Sequence, residues 1–242
     1  MAKFISSRFL QAIPTLFVIA TLTFFMTRLA PGGPFDSEKA IPQEIKDKLE
    51  AHFGLDLPLH EQYLLYLKNL LQGDLGPSFK YMGWDVSELI ATAFPVSAQL
   101  GLCSLFIALL LGLPTGIIAA LRKNTAYDYL FMSIAMLGIC LPTFVLGPLL
   151  ILIFSSSLGW LPPLGWYSMT DMFLPSLTLG LFYAAYIARL TRAGMLDTLN
   201  QDYVRTARAK GASPMRVVTR HALKGGLLPV VTFLGPAFAG LI

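Results

Sequence analysis

The residue types that commonly carry chemistry are sparse in this chain, and their spacing matches no common catalytic pattern. The histidines, His52, His60 and His221, lie far apart, and His60-Glu61 lacks the second histidine of a zinc protease. Neither the nucleophile elbow Gly-x-Ser-x-Gly nor the phosphate loop G-x-x-x-x-G-K-[ST] occurs. We therefore expect no enzyme and no cofactor in this chain.

A polar, mainly basic segment lies between Asp202 and Lys224, with strongly apolar segments on either side. Its pattern predicts two short helices joined by a sharp corner. Asp202 is the expected cap of a helix over Tyr203–Ala209, and Gly211 follows where a left-handed residue is favoured. Ser213 and Pro214 are typical of the start of a second helix.

The second helix is expected to carry a basic face beside an apolar one. Arg216, Arg220 and Lys224 recur every four residues, whereas Met215, Val218 and Ala222 lie on another side. Such a helix pair can dock in a groove of another protein, or it can only fix topology and touch anionic lipid. The residues alone leave these two readings open. A DNA-binding role is disfavoured because the pair is tethered between apolar segments.

The elements that position this segment belong to a membrane protein. Apolar residues make up 55% of the 242 residues and charged ones 13%, against roughly 25% in soluble domains. A bilayer span needs about 20 apolar residues. Such runs occur at Phe9–Thr27, Val96–Leu121, Tyr129–Phe154 and Met172–Arg189, and a fifth begins near Gly226. The first run is expected to be an uncleaved span rather than a signal peptide.

The distribution of basic residues predicts the orientation. Lys3 and Arg8, then Arg122 and Lys123, then the basic residues of the stretch 189–224 lie on alternate connections. Because basic residues favour cytoplasmic connections, we expect the amino terminus and the 202–224 segment in the cytoplasm. No ionisable group is expected deep in the four complete spans, which disfavours an ion-coupled carrier. Such a carrier, and a receptor or scaffold without transport, remain alternatives.

Proline and glycine interrupt two of the predicted spans, at Pro114 and at Pro142. These interruptions serve either close packing or gating, and the sequence leaves both open. The small residues Gly101, Ala108 and Gly112 favour close helix contact, which we expect with a second membrane subunit.

The segment 31–95 is rich in acidic residues and is expected outside the cytoplasm. It predicts helices over Pro42–Phe53 and His60–Gln72. Tyr63 and Tyr66 lie on the apolar face of the second helix. The segment is read either as a structural lid over the spans or as a contact surface for another protein.

One stretch resembles the EAA loop of binding-protein-dependent ABC importer permeases, whose form is EAA, three residues, G, nine residues, I-x-L-P. The matching positions are Arg205-Thr206-Ala207, Gly211 and His221-Ala222-Leu223-Lys224. Arg-Thr here replaces Glu-Ala, His221 the isoleucine and Lys224 the proline. The resemblance extends over almost the whole chain, because three further segments are also similar to the family: RLAPGGPF (28–35), GDLGPSFKY (73–81) and FPVSAQLG (94–101). It is closest to the B-type subunit of the dipeptide and oligopeptide branch.

The resemblance implies an all-α integral membrane protein of the MetI-like permease type, with about five spans in this chain. The implied organisation is an amino-terminal span (1–30), an extracytoplasmic helical segment (31–95) and a core permease domain (96–242) with a cytoplasmic coupling loop (190–225). The family has a sixth span, so a carboxyl-terminal truncation is expected. The implied location is the bacterial inner membrane.

The resemblance also implies partners and site residues. Expected partners are a C-type permease, two ATPase subunits that use ATP and Mg²⁺, an extracytoplasmic peptide-binding protein and membrane lipid, but no nucleic acid. The residues expected to couple to the ATPase are Arg205, Thr206, Ala207, Arg208, Gly211, Arg216, His221 and Leu223. Tyr63 and Tyr66 are candidate contacts for the binding protein. The implied cargo is an oligopeptide, with dipeptide, nickel and murein peptide as alternatives within the family.

Overall fold

The structure is a computed structural model that describes residues 2–29, 54–78, 80–81 and 83–242. Within these residues the regular elements are helices, apart from an isolated antiparallel bridge between Pro77 and Asp85. This confirms the all-α prediction. The expected helix over Pro42–Phe53 lies outside the described residues. The chain divides into two units, Met1–Thr92 and Ala93–Ile242.

The first unit contains α1 (Ala2–Leu29) and α2 (Leu59–Leu71). The α1 helix extends the predicted span Phe9–Thr27 in both directions. Its side chains are largely exposed and apolar, as expected for a helix surrounded by lipid. Phe24 is the exception, because it is 5% exposed and stacks on Tyr66 with ring centroids 5.3 Å apart.

Helix α3 (Val86–Leu121) begins in the first unit, and its residues from Ala93 onward belong to the second. It passes through Pro114 without a break. Gly112 packs against α6 (Met169–Leu199), where an added methyl group would lie 2.7 Å from the carbonyl oxygen of Ala184. The close contact predicted for Ala108 and Gly112 is therefore made inside this chain, rather than only with another subunit.

The predicted span Tyr129–Phe154 is not one straight helix. It consists of α4 (Ala126–Cys140) and α5 (Thr143–Ser157), which meet at an angle of 105°. Pro142 follows the end of α4 in an extended conformation, with ψ near 140°, and precedes the first residue of α5. Since the residue before a proline is disfavoured in the α conformation, the helix ends there. The carboxyl-terminal half of α5 (Ile151–Ser157) is a π-helix.

Helix α6 continues to Leu199, ten residues beyond the predicted end of its span at Arg189. The predicted run covers only the apolar part of the helix, and the ten residues after Arg189 form a more polar extension. Thr191, Met195 and Thr198 are buried on one side of this extension, while the charged residues lie on the other sides. A capping box between Ser168 and Asp171 begins the helix.

The chain continues with α7 (Asp202–Ala209), α8 (Pro214–Gly226, with a π turn at Val217–Ala222) and α9 (Leu228–Leu241). α8 and α9 meet at an angle of 48°. In the described part of the chain, α1, α3 and α6 are each long and apolar enough to cross a membrane. Counting each bent pair as one span gives up to five, in agreement with the predicted number.

Candidate coupling site

The basic segment forms the predicted pair of short helices, but Asp202 does not have the predicted role. Gln201 occupies the N-cap position, and Asp202 is the first residue of α7. Its carboxylate accepts a hydrogen bond from Arg205, with Nη1 and Oδ1 3.4 Å apart. An acidic residue in the first turn is favoured by the helix dipole, so Asp202 still stabilises the start of α7.

The corner after α7 is formed by Gly211, as predicted. Its φ is +80°, in the left-handed region. The Ala212 N–H donates to the Ala207 carbonyl at 3.1 Å, and the Gly211 N–H donates to the Arg208 carbonyl at 2.9 Å. These two bonds form a Schellman motif, which satisfies carbonyls at the end of the helix. Apart from its chain neighbours, no heavy atom of the described residues lies within 4 Å of the position that a Gly211 Cβ would take.

The start of α8 agrees with the prediction, and so do its faces except at Met215: Arg216, Arg220 and Lys224 are exposed, Val218 is half-buried and Ala222 is buried. Ser213 is the N-cap residue and Pro214 is the first helical residue, although the Ser213 hydroxyl makes no capping hydrogen bond. Met215, expected on the apolar face, is 72% exposed, whereas Val217, which was not expected there, is buried. The π turn causes this difference, because hydrogen bonds between residues five apart shift the inward-facing register away from the ordinary helical one.

The helix pair presents cations outward and holds apolar side chains inward. Among the predicted coupling residues, the exposed ones are Arg205, Thr206, Arg208, Gly211 and Arg216, the half-buried ones are His221 and Leu223, and Ala207 is buried. Val204 and Ala207 lie on the inner side of α7, which packs on the π turn of α8. Ala207 therefore serves the packing of α7 within this chain.

Three helices hold the base of the pair. Ala120 of α3, Met195 of α6 and Ala222 of α8 form one buried cluster. Next to it, α6 and α8 approach so closely that a methyl group on Gly194 would collide with the carbonyl oxygen of Gly226. The second helix of the site is thus fixed to α6 by backbone contact and by buried apolar side chains.

An ion pair that the sequence did not predict lies beside this base. Arg192 of α6 donates from Nε to Oδ1 of Asp128 at 2.6 Å and from Nη2 to Oδ2 at 2.7 Å. Asp128 is 2% exposed, and its Oδ2 also accepts the N–H of Asn124 at 2.9 Å. Arg192 stood in a predicted loop and Asp128 next to a predicted span boundary. No local pattern links residues 64 positions apart.

The tyrosines predicted to contact a binding protein have partners within their own unit. The Tyr63 hydroxyl lies 2.8 Å from the hydroxyl of Thr21, and the Tyr66 ring stacks on Phe24. Both rings are half-buried. Only their remaining exposed parts are free for another protein.

Two cavities lie beside the bend between α4 and α5, with volumes of about 370 and 390 Å³. Thr143, Phe144 and Leu179 border both. The second cavity also reaches Tyr183 of α6 and Gly240 of α9. Part of the surface of the broken span therefore borders these two cavities.

No group of three or more metal-ligating side chains occurs within the described ranges. Cys103 and Cys140 are free thiols.

Comparison with known proteins identifies relatives over the whole chain. Residues 112–242 match the pattern of the binding-protein-dependent transport system inner membrane component, and residues 1–100 match the N-terminal pattern of such membrane components. The oligopeptide transport system permease proteins OppB of Haemophilus influenzae and Escherichia coli (strain K12) are each 50% identical over 244 residues, covering 100% of this chain and 80% of each relative. The dipeptide transport system permease protein DppB of Bacillus subtilis is 43% identical over 242 residues, covering 100% and 79%.

Proposed function

Because this chain belongs to the family of binding-protein-dependent transport system inner membrane components, we propose that it is a permease subunit of an ATP-driven oligopeptide importer. Permeases of this family are multi-pass inner-membrane proteins and are not themselves enzymes. The observation that carries the choice of cargo is 50% identity, over the full chain, to oligopeptide permeases. Identity to a dipeptide permease is lower, at 43%.

The α7–α8 pair is the element that couples this subunit to an ATPase. Its exposed arginines, Arg205, Arg208 and Arg216, suit a groove with acidic side chains on the partner. Its inner side is already occupied by contacts within the chain. A partner therefore meets a preformed cationic surface and does not have to order it first, which lowers the cost of association.

The mechanism follows from how the pair is attached. When ATP draws two ATPase subunits together, the docked pair moves with them. Since α8 is fixed to α6 at Gly194 and Gly226, the displacement passes into a span about 30 residues long. Rigid-body movement of that span relative to a second permease opens the path to one side of the membrane and closes it to the other.

The remaining subunits of the proposed importer are a C-type permease, two ATPases and an extracytoplasmic peptide-binding protein. The binding protein delivers the peptide, and the ATPases supply the energy that this chain has no means to supply. The cavities at the α4–α5 bend are the part of this subunit proposed to border the peptide path.

Uptake in proteoliposomes containing the assembled importer tests the function. Labelled oligopeptide should enter only with the binding protein on one side and ATP on the other. Vanadate should abolish uptake, whereas an uncoupler should leave it unchanged. Uptake that an uncoupler removes and vanadate spares would assign the chain to ion-coupled carriers instead.

Charge reversal tests the docking surface. Arg205→Glu together with Arg216→Glu should weaken ATPase association about tenfold or more, because close charge pairs across interfaces contribute at least about 1.5 kcal/mol. The matched control, Arg205→Lys with Arg216→Lys, keeps both charges and should retain most of the affinity. Equal ATPase recovery from both double variants would exclude this surface as the docking site.

A further inference from the structure

The ion pair between Asp128 and Arg192 ties the beginning of α4 to α6 at the level of the coupling site. Both hydrogen bonds of the pair are short and are made through both carboxylate oxygens, which fixes the relative orientation of the two side chains. The third bond, from the Asn124 N–H, also fixes the turn before α4. Asn124 itself holds a φ of +60°, unusual for a residue other than glycine.

Stability alone is a weak reason for such a pair. Removing two charges from water costs about as much as their attraction returns, so an apolar pair of similar volume would hold the helices equally well. Packing of Ala135 against Ala185 and Ala188 already joins α4 and α6 further along. The ion pair adds two directed hydrogen bonds that fix the relative position of α4 and α6 at one end of this contact.

The position of the pair relates it to coupling. Arg192 precedes Gly194 by two residues, or about 3 Å along the helix axis. Gly194 is the residue that meets the backbone of α8. Asp128 lies 14 residues before Pro142, so α4 reaches the bend beside the cavities about 20 Å away.

We propose that Asp128 and Arg192 are positioning residues that make the beginning of α4 follow α6 when the α7–α8 pair moves, so that ATPase motion reaches the α4–α5 bend. This inference rests on the proposed importer function. The route runs from α8 through Gly226 and Gly194 to α6, from Arg192 to Asp128, and along α4 to the cavities. In this route neither residue has to touch the peptide or the nucleotide.

The two partners differ in burial, which predicts unequal effects. The side chain of Arg192 is 28% exposed, so in Asp128→Asn it can turn toward water. Asp128 is 2% exposed, so Arg192→Gln leaves a buried carboxylate without its cation. The assembled protein should therefore be recovered in lower yield for Arg192→Gln than for Asp128→Asn.

The decisive measurement is the number of peptides transported per ATP hydrolysed, in assembled importers normalised for the amount of complex. Asp128→Asn and Arg192→Lys should lower this ratio about tenfold while nucleotide hydrolysis continues. Arg192→Lys keeps the charge but loses the two-pronged bond, and it is the variant that remains informative if neutral variants fail to assemble. The controls Asp197→Asn and Arg189→Lys alter exposed residues of α6 and should keep the wild-type ratio.

A second measurement distinguishes an ion pair that makes α4 follow α6 from one with only a general structural role. Spin labels at Leu137 of α4 and Asp197 of α6, in a background without native cysteines, report the distance between the helices. On vanadate trapping, this distance should stay narrowly distributed in the wild type and broaden in Asp128→Asn. The inference would be overturned if the assembled variants transported as many peptides per ATP as the wild type and kept a narrow distribution of the distance between the spin labels. Absence of uptake by the wild-type importer would instead overturn the proposed function.

Discussion

Substituting Gly211 isolates the contribution of one backbone angle to coupling. The residue has a φ of +80°, and the space where a side chain would begin is open. A substitution therefore introduces no collision, and its cost is almost wholly conformational. For an ordinary L-residue the left-handed conformation costs about 1–2 kcal/mol. Asparagine tolerates this region, so Gly211→Asn is the matched control with an added side chain but little strain.

The expected order of effects follows from these costs. Gly211→Asn should behave nearly as the wild type, and Gly211→Ala should lose about 1 kcal/mol at the corner. Gly211→Val should lose more, because a β-branched residue is strongly disfavoured at positive φ. A penalty of about 1–2 kcal/mol changes the ratio of correctly angled to other corner conformations by a factor of about 5–30.

Proline is the most severe member of the series. It fixes φ near −65° and removes the N–H that donates to the Arg208 carbonyl. The corner cannot keep its angle in Gly211→Pro, and the exposed arginines of α8 then lose their positions relative to those of α7. We expect ATPase association and uptake to be abolished while the protein remains in the membrane.

ATPase affinity, measured by titration of the purified ATPase onto the permease pair, is the direct assay. The affinities should fall in the order Gly, Asn, Ala, Val, with Val about 5–30-fold below Asn. Uptake should follow the same order. Equal affinity for the Val and Asn variants would show that the angle at Gly211 is not needed for docking, and the reasoning from φ would fail.

Two further predictions concern stability and are measured as melting temperatures of the purified protein. Gly194→Ala should destabilise by about 1–3 kcal/mol, because its methyl group meets a backbone carbonyl of α8 that cannot yield. Gly235→Ala should have little effect, because no heavy atom of the described residues outside its own helix backbone and its chain neighbours lies within 4 Å of the added methyl group. Tyr63→Phe should lose about 0.5–1.5 kcal/mol with its bond to Thr21, whereas Tyr66→Phe, whose hydroxyl bonds to none of the described residues, should not. Equal melting temperatures for the two glycine variants, or for the two tyrosine variants, would contradict the corresponding contact.

The features that the sequence predicted well are set by a few neighbouring residues. Gly211 forms the corner because a helix end favours a residue that accepts positive φ. Pro214 begins α8 because the first turn does not need its missing N–H. Such effects act over four or five residues, so a short stretch of sequence contains most of the information.

The features that it missed depend on distant parts of the chain. An arginine at position 189 or 192 reads as the end of a span, yet α6 continues because its buried side has partners on α3 and α8. The ion pair of Arg192 is of the same kind, since only the folded chain brings Asp128 within 3 Å. Met215 was placed on the wrong face because a single π turn changes the register of everything around it.

These two classes of feature meet at the base of the coupling site. A docked pair of helices can transmit motion only if its attachment to the spans is stiffer than its contact with the partner. The attachment here is backbone against backbone at Gly194 and Gly226, with no flexible side chain between. Interiors packed in this way transmit displacement because they have little free volume to absorb it. Glycine is therefore required at two positions for opposite reasons. Gly211 sets the angle between α7 and α8 at a place where a side chain would have room. Gly194 lacks the side chain that would hold α6 and α8 apart, so a displacement of α8 is transmitted to α6.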